Sequence, residues 1–187
     1  VPRDLGVEID GYGLRKINPV QALFHAGAAG TSFRGLWANG GRYFVRSFFD
    51  IRRFDPKTDK ISDQPDFPDA PVRQANIVFE PSGAIWLLCT ESEYSTGMLR
   101  RYPPGNTHTA EKVYEFDASL NLFDPMLRTD DGKIWIVVNK GRLVRFDPEV
   151  SGQAPANGRF DYFDFGHLFG EKINAVRALS LAQDGNG

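Results

Sequence analysis

The stretch "DDGKIWIVVNKGRLVRFDPE", residues 130–149, sets the reading of the whole chain. It opens on an acidic turn at Asp130-Asp131-Gly132 and runs into an apolar segment holding Trp135. A break at Asn139-Lys140-Gly141 precedes a second, alternating segment that stops at Asp147-Pro148. Alternation at a period of two, bounded by glycine, asparagine and proline, is the pattern of two antiparallel strands. Either this is an isolated hairpin or it is one copy of a unit that recurs.

It recurs. Gly132 is followed by Ile134 and Trp135, and Gly83 in "EPSGAIWLLCT" is followed by Ile85 and Trp86. A looser copy is Gly41 in "ANGGRYFVRS", followed by Tyr43 and Phe44, and a fourth start closes the chain in "AQDGNG" at Gly187. These glycines are spaced by 42, 49 and 55 residues (41 to 83, 83 to 132, 132 to 187). A second mark follows the first three: "IRRFDP" to Pro56, "LRRYPP" to Pro104 and "LVRFDP" to Pro148, with an extra copy "LRKINP" ending at Pro19. The Gly-to-Pro distances are 15 (41 to 56), 21 (83 to 104) and 16 (132 to 148). In the third copy the strand-like pieces fall at about 124–129, 133–138, 142–147 and 159–163.

Four antiparallel strands per ~40–55 residues is the unit of a β-propeller blade. The expected fold is therefore all-β: a β-propeller of four-stranded antiparallel blades, with about four repeats. The blades fall at approximately 20–66, 67–117 and 118–165, with 166–187 and 1–19 forming a blade from the two termini or two partial blades. A closed ring and a fragment of a larger propeller both fit, and unrelated hairpins in a β-sandwich are the competing architecture. Trp37, Trp86 and Trp135 are expected to pack between blades.

Composition agrees with short strands. The chain has 187 residues, 13% aromatic, with 19 Gly and 12 Pro, which suits many strands joined by tight turns. No window carries a clean helical stripe; residues 173–182, "INAVRALSLA", read as helix or strand. A net charge of −2 gives no reason to expect nucleic acid as a partner. No apolar run of about 18 residues points to membrane insertion of this segment. No signal peptide is visible, and Val1 fits a processed or trimmed N-terminus. The single Cys89, in "IWLLCTE", reads as a buried small hydrophobe.

"VRALSLAQDGNG" and "DDGKIWIVVNKGRLVRFDP" resemble the two-component regulator propeller repeat, an Asp-x-x-Gly-x-[Ile/Leu]-Trp strand followed by a Gly-Leu-x-Arg-[Tyr/Phe]-[Asp/Asn] strand. "RGLWANGGRYFVRS…IRRFDPKTDKI" and "LGVEIDGYGLRKINP" fit it in part. The resemblance implies the extracytoplasmic sensor region of a histidine kinase, often a hybrid one, that responds to carbohydrates. It implies a periplasmic or extracellular location and a larger polypeptide or a homodimer, although these residues hold no kinase or receiver segment. "GAIWLLCTES" and "GRLVRFDP" are similar also to streptogramin lyase-like propellers. The lyase pattern needs His and Glu close together, whereas His25, His108 and His167 are scattered with no His-x-Glu pair. A binding module is thus expected over a lyase- or lactonase-like enzyme or an interaction scaffold, with no catalytic residue and no cofactor.

Propeller ligands sit where the strand 2–3 loops and the blade-to-blade loops gather. The former are expected near 47–50, 90–96 and 139–140, the latter near 25–34, 67–74, 118–125 and 166–174. The second copy is longer, and the excess is "TESEYST", with Glu91, Glu93 and Tyr94. An aromatic face and carboxylates suit a small polar ligand or carbohydrate. Arg73 and Arg177 each precede a turn glycine by 10 residues and are candidate cations of the same site, with Arg46 (and Arg34) beside them; a solvated loop and structural arginines are the plainer roles. Asp130, Asp131 and Asp184 lack the spacing of a calcium loop and read as turn residues, and Asn106–Thr109 is a surface turn, so no metal site is expected.

Overall fold

The computed structural model describes residues 35–46, 49–58, 60–71, 73–92, 96–119, 125–138, 142–149 and 159–165. Among them are twelve strands and no helix, arranged as three four-stranded antiparallel sheets, each built from strands consecutive in the chain. The stretches 1–19 and 166–187, and the segment 173–182 that reads as helix or strand, lie outside the described residues.

The chain divides into two compact units, one ending at Asp66 and one beginning at Phe67. The first holds β1 (Gly35–Asn39), β2 (Arg42–Arg46), β3 (Ile51–Asp55) and β4 (Lys60–Ile61). Asn39 pairs directly with Arg42, so Gly40 and Gly41 alone make the turn, with φ of 56° and 75°. Two successive positive φ values define the type I′ hairpin, which glycine enters without a Cβ penalty. Phe44, Val45, Ile51 and Phe54 are buried, and Tyr43 and Ile61 pack on the Val45–Phe54 pair. Arg53 leaves this sheet to pair with Asp66 at 2.9 Å.

The second unit holds two sheets. One is β5 (Arg73–Phe79), β6 (Ile85–Thr90), β7 (Thr96–Tyr102) and β8 (Lys112–Ser119); the other is β9 (Met126–Arg128), β10 (Ile134–Val138), β11 (Arg142–Asp147) and β12 (Arg159–Asp164). The turns opening their second strands match atom for atom. Gly83 N–H donates to Glu80 O and Glu80 N–H to Ala84 O; Gly132 N–H donates to Thr129 O and Thr129 N–H to Lys133 O. Gly83 and Gly132 take φ of 87° and 86°. Ser82 Oγ and Asp131 Oδ1 accept the N–H two residues on. The first unit uses a two-residue turn instead, which is the physical reason its copy of the motif is loose.

The two sheets of this unit meet face to face. Trp86, Leu88, Leu99, Tyr114 and Phe116 on one side close on Met126, Ile134, Ile136, Val138, Val144 and Phe146 on the other. Phe146 sits 5.3 Å from Trp86 and 4.8 Å from Tyr114, ring centre to ring centre. Burying each such ring contributes ~2–3 kcal/mol. On the far face of the β5–β8 sheet the buried Phe67 ring lies 4.8 Å from that of Tyr102. β6 is buried along its whole length, on both faces. β10 is not: Ile134, Ile136 and Val138 are buried, while Trp135 and Val137 are half-buried.

Asp69 holds the strap formed by residues 67–71 in place. It accepts from Tyr102 Oη at 2.7 Å, Arg100 Nη2 at 2.6 Å and Ala110 N–H at 2.9 Å. Gln74 Nε2 ties the same strap by donating to Phe67 O at 3.1 Å.

Candidate functional site

The β6–β7 connection and the strand ends around it form the candidate site. β5 begins at Arg73 and β6 ends at Thr90, and these two residues pair across the ladder. Glu91 and Ser92 follow Thr90 and are exposed. Arg73 and Glu91 therefore belong to one end of one sheet.

This end is the irregular end of its sheet. A bulge interrupts β5 between Gln74 and Asn76, and a second interrupts the β7–β8 ladder between Thr96 and Gly97. Bulges raise local twist and re-aim the side chains beside them. Gly97 is needed there, because a Cβ on it would lie 2.4 Å from the Phe116 ring. Thr90 is 1% exposed, and its hydroxyl reaches Ser92 O at 2.9 Å and Thr96 O at 3.2 Å. One buried hydroxyl thus ties both ends of the connection.

The extra length of the second copy is not a single long loop. Between strands there are five residues here (91–95), against four in the first copy (47–50) and three in the third (139–141). The rest of the excess lengthens β6 and β7 and adds Pro103. Longer strands extend this hairpin rather than loosening it.

Glu93 and Tyr94, expected to line the site, lie outside the described residues, as does Arg177. Arg46 ends β2 in the first unit, between Gly35 and Ile51 in register, and is 4% exposed. Cys89 is buried, and burial pushes its thiol up to about 12, so the small-hydrophobe role fits. Among the described residues no group of three His, Cys, Asp or Glu side chains is placed to hold a metal ion.

A recurring polar unit was not anticipated from the sequence. In each sheet an aromatic of the second strand pairs with an arginine of the third: Phe44 with Arg53, Trp86 with Arg101, Trp135 with Arg145. Each arginine finds a carboxylate: Asp66, Glu80 and Asp161. The most developed is Glu80, which accepts from Arg101 Nε at 2.7 Å and Nη2 at 2.6 Å, Trp86 Nε1 at 2.7 Å and Ser82 Oγ at 2.9 Å. The Arg101 hydrogen bonds hold the Glu80 carboxyl down at about 2, against burial. Asp69 is also lowered: burial pushes it up, and donors from Ala110, Tyr102 and Arg100 outweigh that. The signal was present as the shared Arg-[Phe/Tyr] step of "IRRF", "LRRY" and "LVRF". Glu80 and Asp69 each accept from three protein residues, which suits holding strands rather than ligand.

No protein-family model matches the chain, and no curated protein does. Among solved structures, 12 chains match. One is PorZ, an essential bacterial surface component of the type-IX secretion system of Porphyromonas gingivalis, at 13% identity and a TM-score of 0.42. The match covers 69% of this chain and 20% of the PorZ chain, so it spans about a fifth of that protein.

Proposed function

We propose that the chain is an arc of a β-propeller acting as a non-catalytic binding module, with its ligand site at the β6–β7 hairpin. The observation that carries this reading is the pairing of Arg73 with Thr90, which sets a guanidinium and the Glu91 carboxylate at the same bulged strand ends. A cation on a strand and an acceptor on the connection that follows the paired strand suit a small polar ligand, and a carbohydrate offers hydroxyls to both. The likeness of the repeats to sensor propellers supports an extracytoplasmic setting within a larger polypeptide or a homodimer.

The test is ligand-observed NMR with neutral and acidic oligosaccharides, followed by calorimetry on any binder. Glu91→Gln and Arg73→Gln each remove one charged hydrogen bond, worth about 1.5–3 kcal/mol, so affinity drops about tenfold or more. Binding unchanged in both variants, or no binder among the sugars, defeats the reading.

A further inference from the structure

Asp69 stands outside the repeated arginine–carboxylate pattern. Asp66, Glu80 and Asp161 each meet the arginine that pairs with an aromatic in the ladder, whereas Asp69 meets Arg100, one residue before Arg101 on β7. Arg100 pairs with Leu87, and at the same step of the next sheet Val144 pairs with Ile136. Tyr102 pairs with Ile85, and there Phe146 pairs with Ile134. Two positions that are Val and Phe on β11 are thus Arg and Tyr on β7. Tyr102 is fully buried, and its hydroxyl accepts from Arg100 Nε at 3.2 Å and donates to Asp69 at 2.7 Å. Buried polar groups are costly unless bonded, and Asp69, on the 67–71 strap, bonds both. These two side chains suit β7 to receive the strap.

The strap reaches the candidate site through Gln74. None of the strap residues belongs to a strand, and the turn within it is closed by Ala70 N–H on Phe67 O at 3.2 Å. The same carbonyl accepts from Gln74 Nε2 at 3.1 Å, and Gln74 is 2% exposed. Gln74 pairs with Cys89, one step inside the Arg73–Thr90 pair, and the bulge of β5 falls directly after it. Side chains alternate across a sheet, so Gln74 shares a face with Cys89, Leu87 and Tyr102, the face on which Phe67 packs. Ala75 is the extra residue of the bulge and is buried in the core on the opposite face. Without the bulge Ala75 would meet Cys89, Gln74 would meet Thr90 and Arg73 would meet Glu91. A slip of one residue moves each side chain to the other face. The register that gives the candidate site its arginine thus depends on Gln74 staying on the face that the strap occupies.

We propose that the strap is a positioning element of the ligand site: Asp69 anchors it on β7, and Gln74 carries that anchorage to the bulged start of β5 and so sets where Arg73 lies. Asp69 and Gln74 are positioning residues, acting through Arg73. The proposal rests on the reading of Arg73 as a ligand group, but the strand register is measured without any ligand, so the two fail separately.

The test compares Gln74→Met and Asp69→Ala in the 187-residue chain, with Arg101→Lys as a control for lost stability in the same sheet. Cross-strand backbone NOEs between positions 73 and 90 and between positions 74 and 89 report the register. Titration with trigalacturonate, an acidic oligosaccharide, reports the site. The expected result is loss of both NOE pairs in Gln74→Met and Asp69→Ala and their retention in Arg101→Lys. Binding weakens about tenfold in the first two variants, as for Arg73→Gln, and holds in the control. NOEs unchanged in Gln74→Met overturn the proposal. NOEs lost equally in Arg101→Lys overturn it as well, because they mark general loosening of the sheet. Loss of the NOEs with binding unchanged overturns the positioning role. If Asp69→Ala does not fold, Gln74→Met decides alone. If trigalacturonate does not bind the unaltered chain, the ligand reading fails for this probe, and the NOEs decide whether the strap sets β5.

Discussion

Glu80 gathers donors from Arg101, Trp86 and Ser82 on one carboxylate, and its value to the fold depends on its charge. Hydrogen bonds to a charged group contribute about 1.5–3 kcal/mol each when a partner is lost. Glu80→Gln keeps the shape and loses the charge, so a cost of about 2 kcal/mol is expected. The pH dependence has a definite sign. The folded carboxyl is held at about 2, below its ordinary value of 4.5. Its stabilisation is complete above about pH 4.5 and is lost as pH falls through about 2. Urea unfolding of the two proteins at pH 7, 4 and 2.5 checks this: the gap in midpoints is full at pH 7 and narrows toward pH 2.5. A gap unchanged at pH 2.5 shows that the charge is not what Glu80 contributes. Gly97 is the second residue whose identity the structure requires. Gly97→Ala must displace the Phe116 ring, and overpacking of this kind costs about 1–3 kcal/mol. A thermal shift of a few degrees downward checks it, and the Gly97→Ala, Phe116→Leu double variant recovers part of the loss.

Across elements, the arginine on each third strand does different work in each sheet. Arg101 makes a two-pronged pair with Glu80, while Arg145 gives both Nε and Nη2 to one oxygen of Asp161 and lies 5.6 Å above the rings of Trp135 and Phe163. Lysine keeps the charge and loses both the fork and the planar stack. Arg101→Lys is expected to cost ~1–2 kcal/mol and Arg145→Lys ~0.5–1 kcal/mol, read as the order of midpoints in denaturant. The strands themselves were legible, because a turn glycine and a closing proline bracket each hairpin and alternation fills the interval. Gly83 and Gly132 are needed at positive φ, so the sequence displays them. What it hid is burial. "IWLLC" and "IWIVV" look alike, yet the first is buried on both faces and the second is half-buried at Trp135 and Val137. Coverage of a strand is decided by what lies over it, which the strand's own residues do not encode. The candidate site was legible only in part, for a similar reason. Glu91 stood out by length and charge, but that it shares a sheet end with Arg73 comes from the ladder register that pairs Arg73 with Thr90 across the Gly83 turn.

At the scale of the molecule, the two sheets that follow Phe67 share one continuous core. Phe146 is the hinge of that core, touching Trp86 and Tyr114 of one sheet and Phe160 of its own. Phe116 reaches Phe160 at 5.2 Å, and the Asp117 N–H donates to Tyr162 Oη at 3.1 Å. Neither sheet keeps its core without this seam, because among the described residues the apolar cover of Trp86, Leu99 and Tyr114 on that face comes from the β9–β12 sheet. Phe146→Ala is therefore expected to cost about 3–5 kcal/mol, the range for a large buried ring replaced by a cavity. Hydrogen exchange followed by mass spectrometry locates the effect. Peptides from β6, β7, β10 and β11 should exchange faster together and by a similar factor, as members of one cooperative unit. Peptides from β2 and β3, whose buried Val45, Ile51 and Phe54 belong to the unit ending at Asp66, should keep their protection. Acceleration confined to β10 and β11 would mean that the two sheets fold as separate units, and acceleration of β2 and β3 to the same degree would mean that the chain unfolds as a single one.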